Sequence, residues 1–273
     1  MKNLDMHTRR LVLAAALSVI CAPLLHASGE ALTREQMKQF LLTAKVTNSS
    51  QSKKGITNPF RLTLSDGGVT HDGSFQSVDE HKARMEFGDG HVELDFADSY
   101  KYNIAAYTLA EMLGVEDMLP VYVERKWNGR SGSLSWWLPV KMDEGERLKQ
   151  KISAPDADRW NKQMYRVRVF DELVFDTDAN LTNVLIGEDW QLWRVDFSRS
   201  FRLFKELKNP KNLVQCDRQL FAGLKALDSN EVTQKTRNYL TRLEVQALMA
   251  RRDKIVAYFE KLISEKGESK VLY

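Results

Sequence analysis

The sequence predicts an α+β protein of two lobes: an antiparallel β N-terminal lobe with one helix, then a mainly helical C-terminal lobe. Three observations predict it. Short alternating apolar runs, punctuated by Gly and Asn turns, fill the first half. Apolar residues at 3.6-residue spacing dominate the second half. A single hairpin pattern, Asn183-Val184-Leu185-Ile186 and then residues 190–195 around the turn Gly187-Glu188-Asp189, interrupts the helices. With 273 residues, 43% hydrophobic and 28% charged, the chain can bury a full core and is not disordered by composition.

Residues 1–27 read as a secretory signal: Arg9-Arg10, an apolar run over residues 11–25, and the small residues Ala27-Ser28-Gly29. The run contains Pro23 and is short for a spanning helix. The expectation is an exported protein, periplasmic or secreted, with no transmembrane span after cleavage. The alternative is an uncleaved N-terminal anchor. Without Lys2, Arg9, Arg10 and Asp5, the 40 basic and 37 acidic residues become 37 and 36, a net charge of +1. Charge therefore gives no argument for nucleic acid. Only Cys216 remains, which excludes an internal disulfide.

Residues 28–54 hold a helix over residues 31–45, with Thr33 as cap, Gln36 three residues on, and Met37, Phe40 and Leu41 as the apolar face. Residues 48–54 read as a polar linker. The N-terminal lobe is expected over residues 55–140. Its strands are residues 60–64, 69–78, 84–87, 91–96, 121–125 and 133–140, the last closing the sheet, with turns at Asp66-Gly67-Gly68, Gly88-Asp89-Gly90 and Asn128-Gly129. Its helix is residues 99–113, ended by Gly114. The C-terminal lobe, residues 141–273, is expected to hold helices over residues 156–175, 213–226, 230–239 and 242–263. Leu243, Val245, Leu248, Ile255, Phe259 and Leu262 are its core positions, Arg251-Arg252-Asp253 is a solvated or paired face, and residues 265–273 fray.

The chemistry gathers at the ends of the hairpin. Asp178 lies five residues before Asn183, and Asp196 follows the second strand. Phosphoryl transfer needs a carboxylate beside the attacking hydroxyl and hard oxygen ligands for a divalent cation. Asp178 fits the first role, and Asn183 and Asp196 the second. The plainer alternative is a surface hairpin with Asp and Asn as turn residues. His71, His81 and His91 lack helical metal-ligand spacing and read as surface residues. No G-x-S-x-G, Walker or dinucleotide fingerprint is present.

Phe170-Asp171, the run from Asp178 through Asn183, and Val195-Asp196-Phe197-Ser198-Arg199-Ser200-Phe201 resemble the atypical kinases grouped around phosphatidylinositol kinases, HipA-type toxin kinases and the secretory-pathway casein kinases of the Golgi. Tyr102-Asn103-Ile104-Ala105-Ala106-Tyr107 and Leu113-Gly114 are similar to their N-lobe helix. The resemblance implies a bacterial-type exported member with a two-lobed protein-kinase-like fold. It implies ATP or another nucleotide, Mg²⁺ or Mn²⁺, and a protein or small-molecule hydroxyl as acceptor. Asp178 is then catalytic, and Asn183 and Asp196 bind metal. Gly55 and Thr57 are candidates to approach phosphate through backbone amides, and Trp137 and Leu138 to pass the base between the lobes. Two positions depart from the family. Gln76 stands where the phosphate-contacting strand Lys is expected, and Asn103 where its helix Glu partner is expected. Gln76 and Asn103 could hydrogen-bond to each other, and Arg61, Lys82 or Lys54 could replace the missing charge. The competing reading is therefore an exported pseudokinase that binds nucleotide or protein without transfer.

Overall fold

The computed structural model describes residues 31–51 and 59–273, and Leu32–Tyr273 form one unit. The signal expectation on residues 1–27, together with Lys54, Gly55 and Thr57, lies outside the described residues.

Helix α1 (Arg34–Thr43) starts at a capping box in which Thr33 and Gln36 bond each other's backbone. It buries Phe40 and Leu41. The chain then forms β1 (Lys45–Gln51), where a polar linker was expected. Its backbone pairs along β2 (Phe60–Ser65), so ladder bonds hold a strand whose side chains are mostly exposed. Strand β3 (Thr70–Gln76) returns antiparallel to β2.

Strands β4 (Asp79–Glu86) and β5 (Val92–Ser99) form a separate two-stranded ribbon, longer than the sequence pattern suggests. Helix α2 (Tyr100–Leu113) follows directly, capped by the Ser99 hydroxyl and ended by Gly114 at φ 67°, which favours glycine. Strands β6 (Tyr122–Trp127) and β7 (Arg130–Trp136) flank a two-residue turn with positive φ at Asn128 and Gly129, the type I′ pattern.

The main sheet has the order β1-β2-β3-β7-β6. Strand β7 thus lies inside the sheet and ends at Trp136, where closure at the edge by residues 133–140 was expected. Val140 opens β8 (Val140–Asp143), which joins a second sheet of order β10-β9-β8, where β9 is Val184–Gly187 and β10 is Leu192–Arg194.

Register assigns the two faces of the main sheet. Phe60, Leu62, Leu64, Phe75, Leu134 and Val123 share one face. Helix α1 packs there, with Phe40 against Trp136 and Arg125 donating to Leu41 O and Ala44 O. Arg61, Asp72, Ser74, Gln76, Ser133, Ser135 and Tyr122 share the other face, which α2 covers at one end.

The remainder is helical: α3 (Glu144–Lys149), α4 (Ala157–Val174), α5 (Arg218–Ala226), α6 (Ser229–Thr236), α7 (Arg242–Lys266) and α8 (Glu268–Val271). Helix α5 begins later than expected because Asp217 caps it. Three further expectations are corrected. Leu243 is 60% exposed rather than core. Arg251 has no exposed surface and donates to the carbonyls of Leu173, Arg202 and Phe204, so it is a buried staple rather than a solvated face. The C-terminus is docked rather than frayed: Val271 and Leu272 are buried, and Leu272 bridges to Cys216. No described helix is long and apolar enough to cross a membrane.

Candidate functional site at the end of the β9–β10 hairpin

Helix α4, capped by Asp156, runs eighteen residues and stops where Phe175 takes a left-handed conformation at φ 51°. That stop turns the chain into residues 176–183. Asp178 N–H donates to Asp176 Oδ1 at 3.0 Å, and Asp178 O accepts from Asn180 N–H at 2.7 Å and from Asn183 Nδ2 at 3.2 Å. The Asn183 amide therefore holds the backbone that carries Asp178. Leu192 pairs Ile186 and Arg194 pairs Val184; the ladder continues as Val195 N–H donates to Asn183 O at 3.0 Å. This register brings Asp178, Asn183 and Asp196 to the same end of the hairpin. Asp196 itself is left-handed, at φ 61°, so the chain breaks out of strand geometry at that residue.

Beneath this end lies a charged group that the sequence analysis did not identify. Arg194 is fully buried, pairs with Asp171 at 3.1 Å and with Asp176, and donates to Val195 O. Removal from water pushes the carboxyls of Asp171 and Asp176 up against the opposing pull of Arg194. The signal was present in β10. Leu192 is buried, so Arg194, two residues on, faces inward as well, and a charge there requires partners. Asp176 then binds the Asp178 amide, so Arg194 positions the loop through Asp176. Lys208 Nζ adds a bond to Asp176 O at 3.0 Å, and Thr177 Oγ1 donates to Arg199 O at 2.9 Å.

The departures from the family pattern form a neutral linkage. Asn103, on α2, donates through Nδ2 to Gln76 Oε1 at 2.7 Å and accepts the Phe197 N–H at Oδ1, also at 2.7 Å. Strand β3, helix α2 and the segment after β10 thus meet at one buried amide, and Gln76 Nε2 has no partner in the fold. Asp98, at the end of β5, lies alongside. Ser99 N–H donates to Ser198 O at 2.8 Å, and Ser198 binds one Asp98 oxygen while Asp98 Oδ1 is buried without a partner. Burial, and then the Asp196 charge, raise the Asp98 carboxyl. Tyr122 reaches Asp196 from β6, which puts the polar face of the main sheet over this end of the hairpin.

The other expected residues fall in two places. Lys82 sits on the ribbon, 45% exposed and paired with Glu80 at 2.8 Å, so its charge is already engaged outside the cleft. Arg61 lies on the polar face of the sheet, donating through Nε to Asp72 at 2.7 Å, with its guanidinium 4.4 Å from the centre of the Trp137 ring. Leu138 follows Trp137, and its carbonyl accepts from Val140 N–H at 3.0 Å. His71 is not a surface residue: it stacks on Trp136 at 3.7 Å, and burial lowers its pKa.

No family pattern and no characterised protein matches the chain by sequence. Its fold matches solved structures. A hydra Fam20 solved with sugar aligns over 88% of this chain and 92% of that chain at TM-score 0.64 and 16% identity. The Golgi casein kinase with Mn/ADP bound aligns over 88% and 78% at 0.62 and 11%. The Helicobacter pylori proinflammatory kinase CtkA aligns over 83% and 98% at 0.52 and 9%. The class of protein that this architecture defines is the atypical kinase-like fold, with an antiparallel N-terminal sheet and a helical C-terminal region.

Proposed function

We propose that this protein is a metal-dependent phosphotransferase that moves a phosphoryl group from a nucleotide to a hydroxyl on a protein or small molecule. The observation that carries the reading is the register of β9 and β10, which gathers an Asp, an Asn and a second Asp at one hairpin end beneath a polar sheet face. The solved Golgi casein kinase of the same fold holds Mn and ADP, which supports nucleotide and cation as the ligands here.

The donor set fits a hard divalent cation. Asp196 and Asn183 offer oxygen ligands, and the orphaned Asp98 Oδ1 is a buried acceptor beside them that a cation would satisfy. Such an ion, Mg²⁺ or Mn²⁺, supplies positive charge to the transferring phosphates. Asp178 accepts the proton of the acceptor hydroxyl as its oxygen bonds to phosphorus and the bond to the nucleoside diphosphate breaks. Arg194 and Asn183 keep the Asp178 backbone in place for that step. Residues 1–27 direct the protein out of the cytoplasm in this reading, with residues 55–140 and 141–273 as the two lobes.

The test is thermal stabilisation by ATP with Mg²⁺ or Mn²⁺, followed by phosphoryl transfer to candidate acceptors. Metal-dependent stabilisation is expected in the unaltered protein, lost in Asp196→Ala and retained in Asp178→Ala. Turnover should fall in Asp178→Ala by at least about a hundredfold; normal turnover there would sink the assignment. The neutral Gln76–Asn103 bond, in place of a charged pair, favours a second reading, a binding module without transfer. Stabilisation by nucleotide without detectable transfer to any acceptor, or to water, is its signature.

A further inference from the structure

Between the two sheets, the segment from Trp136 to Val140 runs under the open part of the polar sheet face. A nucleobase entering there could be read in two ways: by backbone hydrogen bonds to its edge, or by a ring against its face. Trp137 is closed to the first. Its N–H donates to Asp72 O at 3.1 Å, and its carbonyl is bonded by His71 Nε2 at 3.0 Å. Leu138 O is taken by Val140 N–H at 3.0 Å, and Pro139 has no N–H to offer. The face of Trp137 remains, and Arg61 lies on it. A guanidinium is planar, delocalised and weakly hydrated, and stacks on aromatic rings much as a base does. The Arg61 guanidinium sits 4.4 Å from the ring centre and is steered there by its bond to Asp72 on the neighbouring strand. Arg61 is 48% exposed, so a competing ring can reach and displace it.

We propose that Arg61 occupies the base position on Trp137 when no nucleotide is bound, and that a nucleobase displaces it by stacking on the indole without an edge being read. The site then takes purine nucleotides with little regard to the base. This rests on the proposed nucleotide function and adds its specificity. Displacement also frees a cation on the sheet face, a partial substitute for the charge that Gln76 does not supply at the strand position of the phosphate-contacting Lys. The geometry explains why His71 is buried: its ring both packs on Trp136 and closes the Trp137 carbonyl.

The experiment is calorimetric titration of the full chain, in the presence of Mn²⁺, with three probes: AMP-PNP, GMP-PNP and inorganic tripolyphosphate. The expected result is dissociation constants for the two nucleotides within about threefold of each other, since every base offers a similar π face. Arg61→Ala removes the competitor and should tighten both nucleotides by roughly threefold while leaving tripolyphosphate unchanged or weaker. Trp137→Leu should weaken both nucleotides by about tenfold and spare tripolyphosphate. Thermal melts without ligand check that each variant is folded. A preference above about tenfold for one base overturns the proposal and leaves the phosphotransferase reading standing. So does a loss of nucleotide affinity in Arg61→Ala, which would make the arginine a ligand rather than a stand-in. Absence of binding by either nucleotide in the unaltered protein overturns both.

Discussion

A guanidinium held between two carboxylates out of water, as Arg194 is between Asp171 and Asp176, is stable only while all three are present. Arg194→Met should lower the unfolding free energy by about 3–5 kcal/mol near neutral pH, measured by denaturant titration. The loss should shrink as the pH is lowered. Without Arg194, the two buried carboxyls, already raised by desolvation, bind protons in the folded state at a pH where the unfolded chain has released them. Stability of the variant therefore rises as pH falls. His71 works in the opposite sense. Its folded pKa lies below the ordinary value, so its contribution is present above the unfolded pKa of about 6.5 and is lost as pH falls through that value. Comparing melting temperatures at pH 7.5 and 5.5, His71→Gln should show less acid destabilisation than the unaltered protein.

At the scale of elements, the β4–β5 ribbon clasps the chain that leaves the site. Glu93 pairs with both Arg199 and Arg202, and Arg202 Nη1 donates to Asp95 O at 2.6 Å. The Arg199 guanidinium also lies 5.1 Å from the centre of the Phe96 ring. Arg202 is only 4% exposed, so removing Glu93 leaves a largely buried charge without its carboxylate partner. Glu93→Ala should cost on the order of 3 kcal/mol and raise proteolytic cleavage near Leu203 and Phe204, the exposed residues next to the clasp. Limited proteolysis followed by mass spectrometry measures it; an unchanged pattern would show that the ribbon does not restrain this segment.

Across the whole molecule, distant parts of the chain are tied together under the site. Arg251, on α7, bonds the carbonyls of Leu173, Arg202 and Phe204, joining the end of α4 to the segment after Asp196. The last residues lie against α4 and α5: Tyr273 O–H donates to Lys162 O at 2.6 Å, and Cys216 N–H to Val271 O at 2.9 Å. Deleting residues 267–273 removes Val271 and Leu272 from the core and should cost about 3 kcal/mol or more, seen as a lower denaturation midpoint.

The sequence by itself determined the order of the elements, because apolar periodicity, capping residues and turn residues are local. Thr33 with Gln36, Ser99 before α2, Asn128-Gly129 and Gly114 each act within a few residues. It also determined the spacing of Asp178, Asn183 and Asp196, since a short hairpin has one workable register. Only the tertiary structure decided which polar residues are inside. Arg194 and Arg251 look solvated in a linear pattern, and their burial depends on carboxylates and carbonyls contributed by other elements. The same holds at Trp137. The sequence marked it as the crossing between lobes, but whether its backbone is open or closed depends on His71 and Asp72, two strands away in the fold and distant along the chain. Local propensity is set by neighbours in sequence; burial, charge pairing and access to a site are set by neighbours in space.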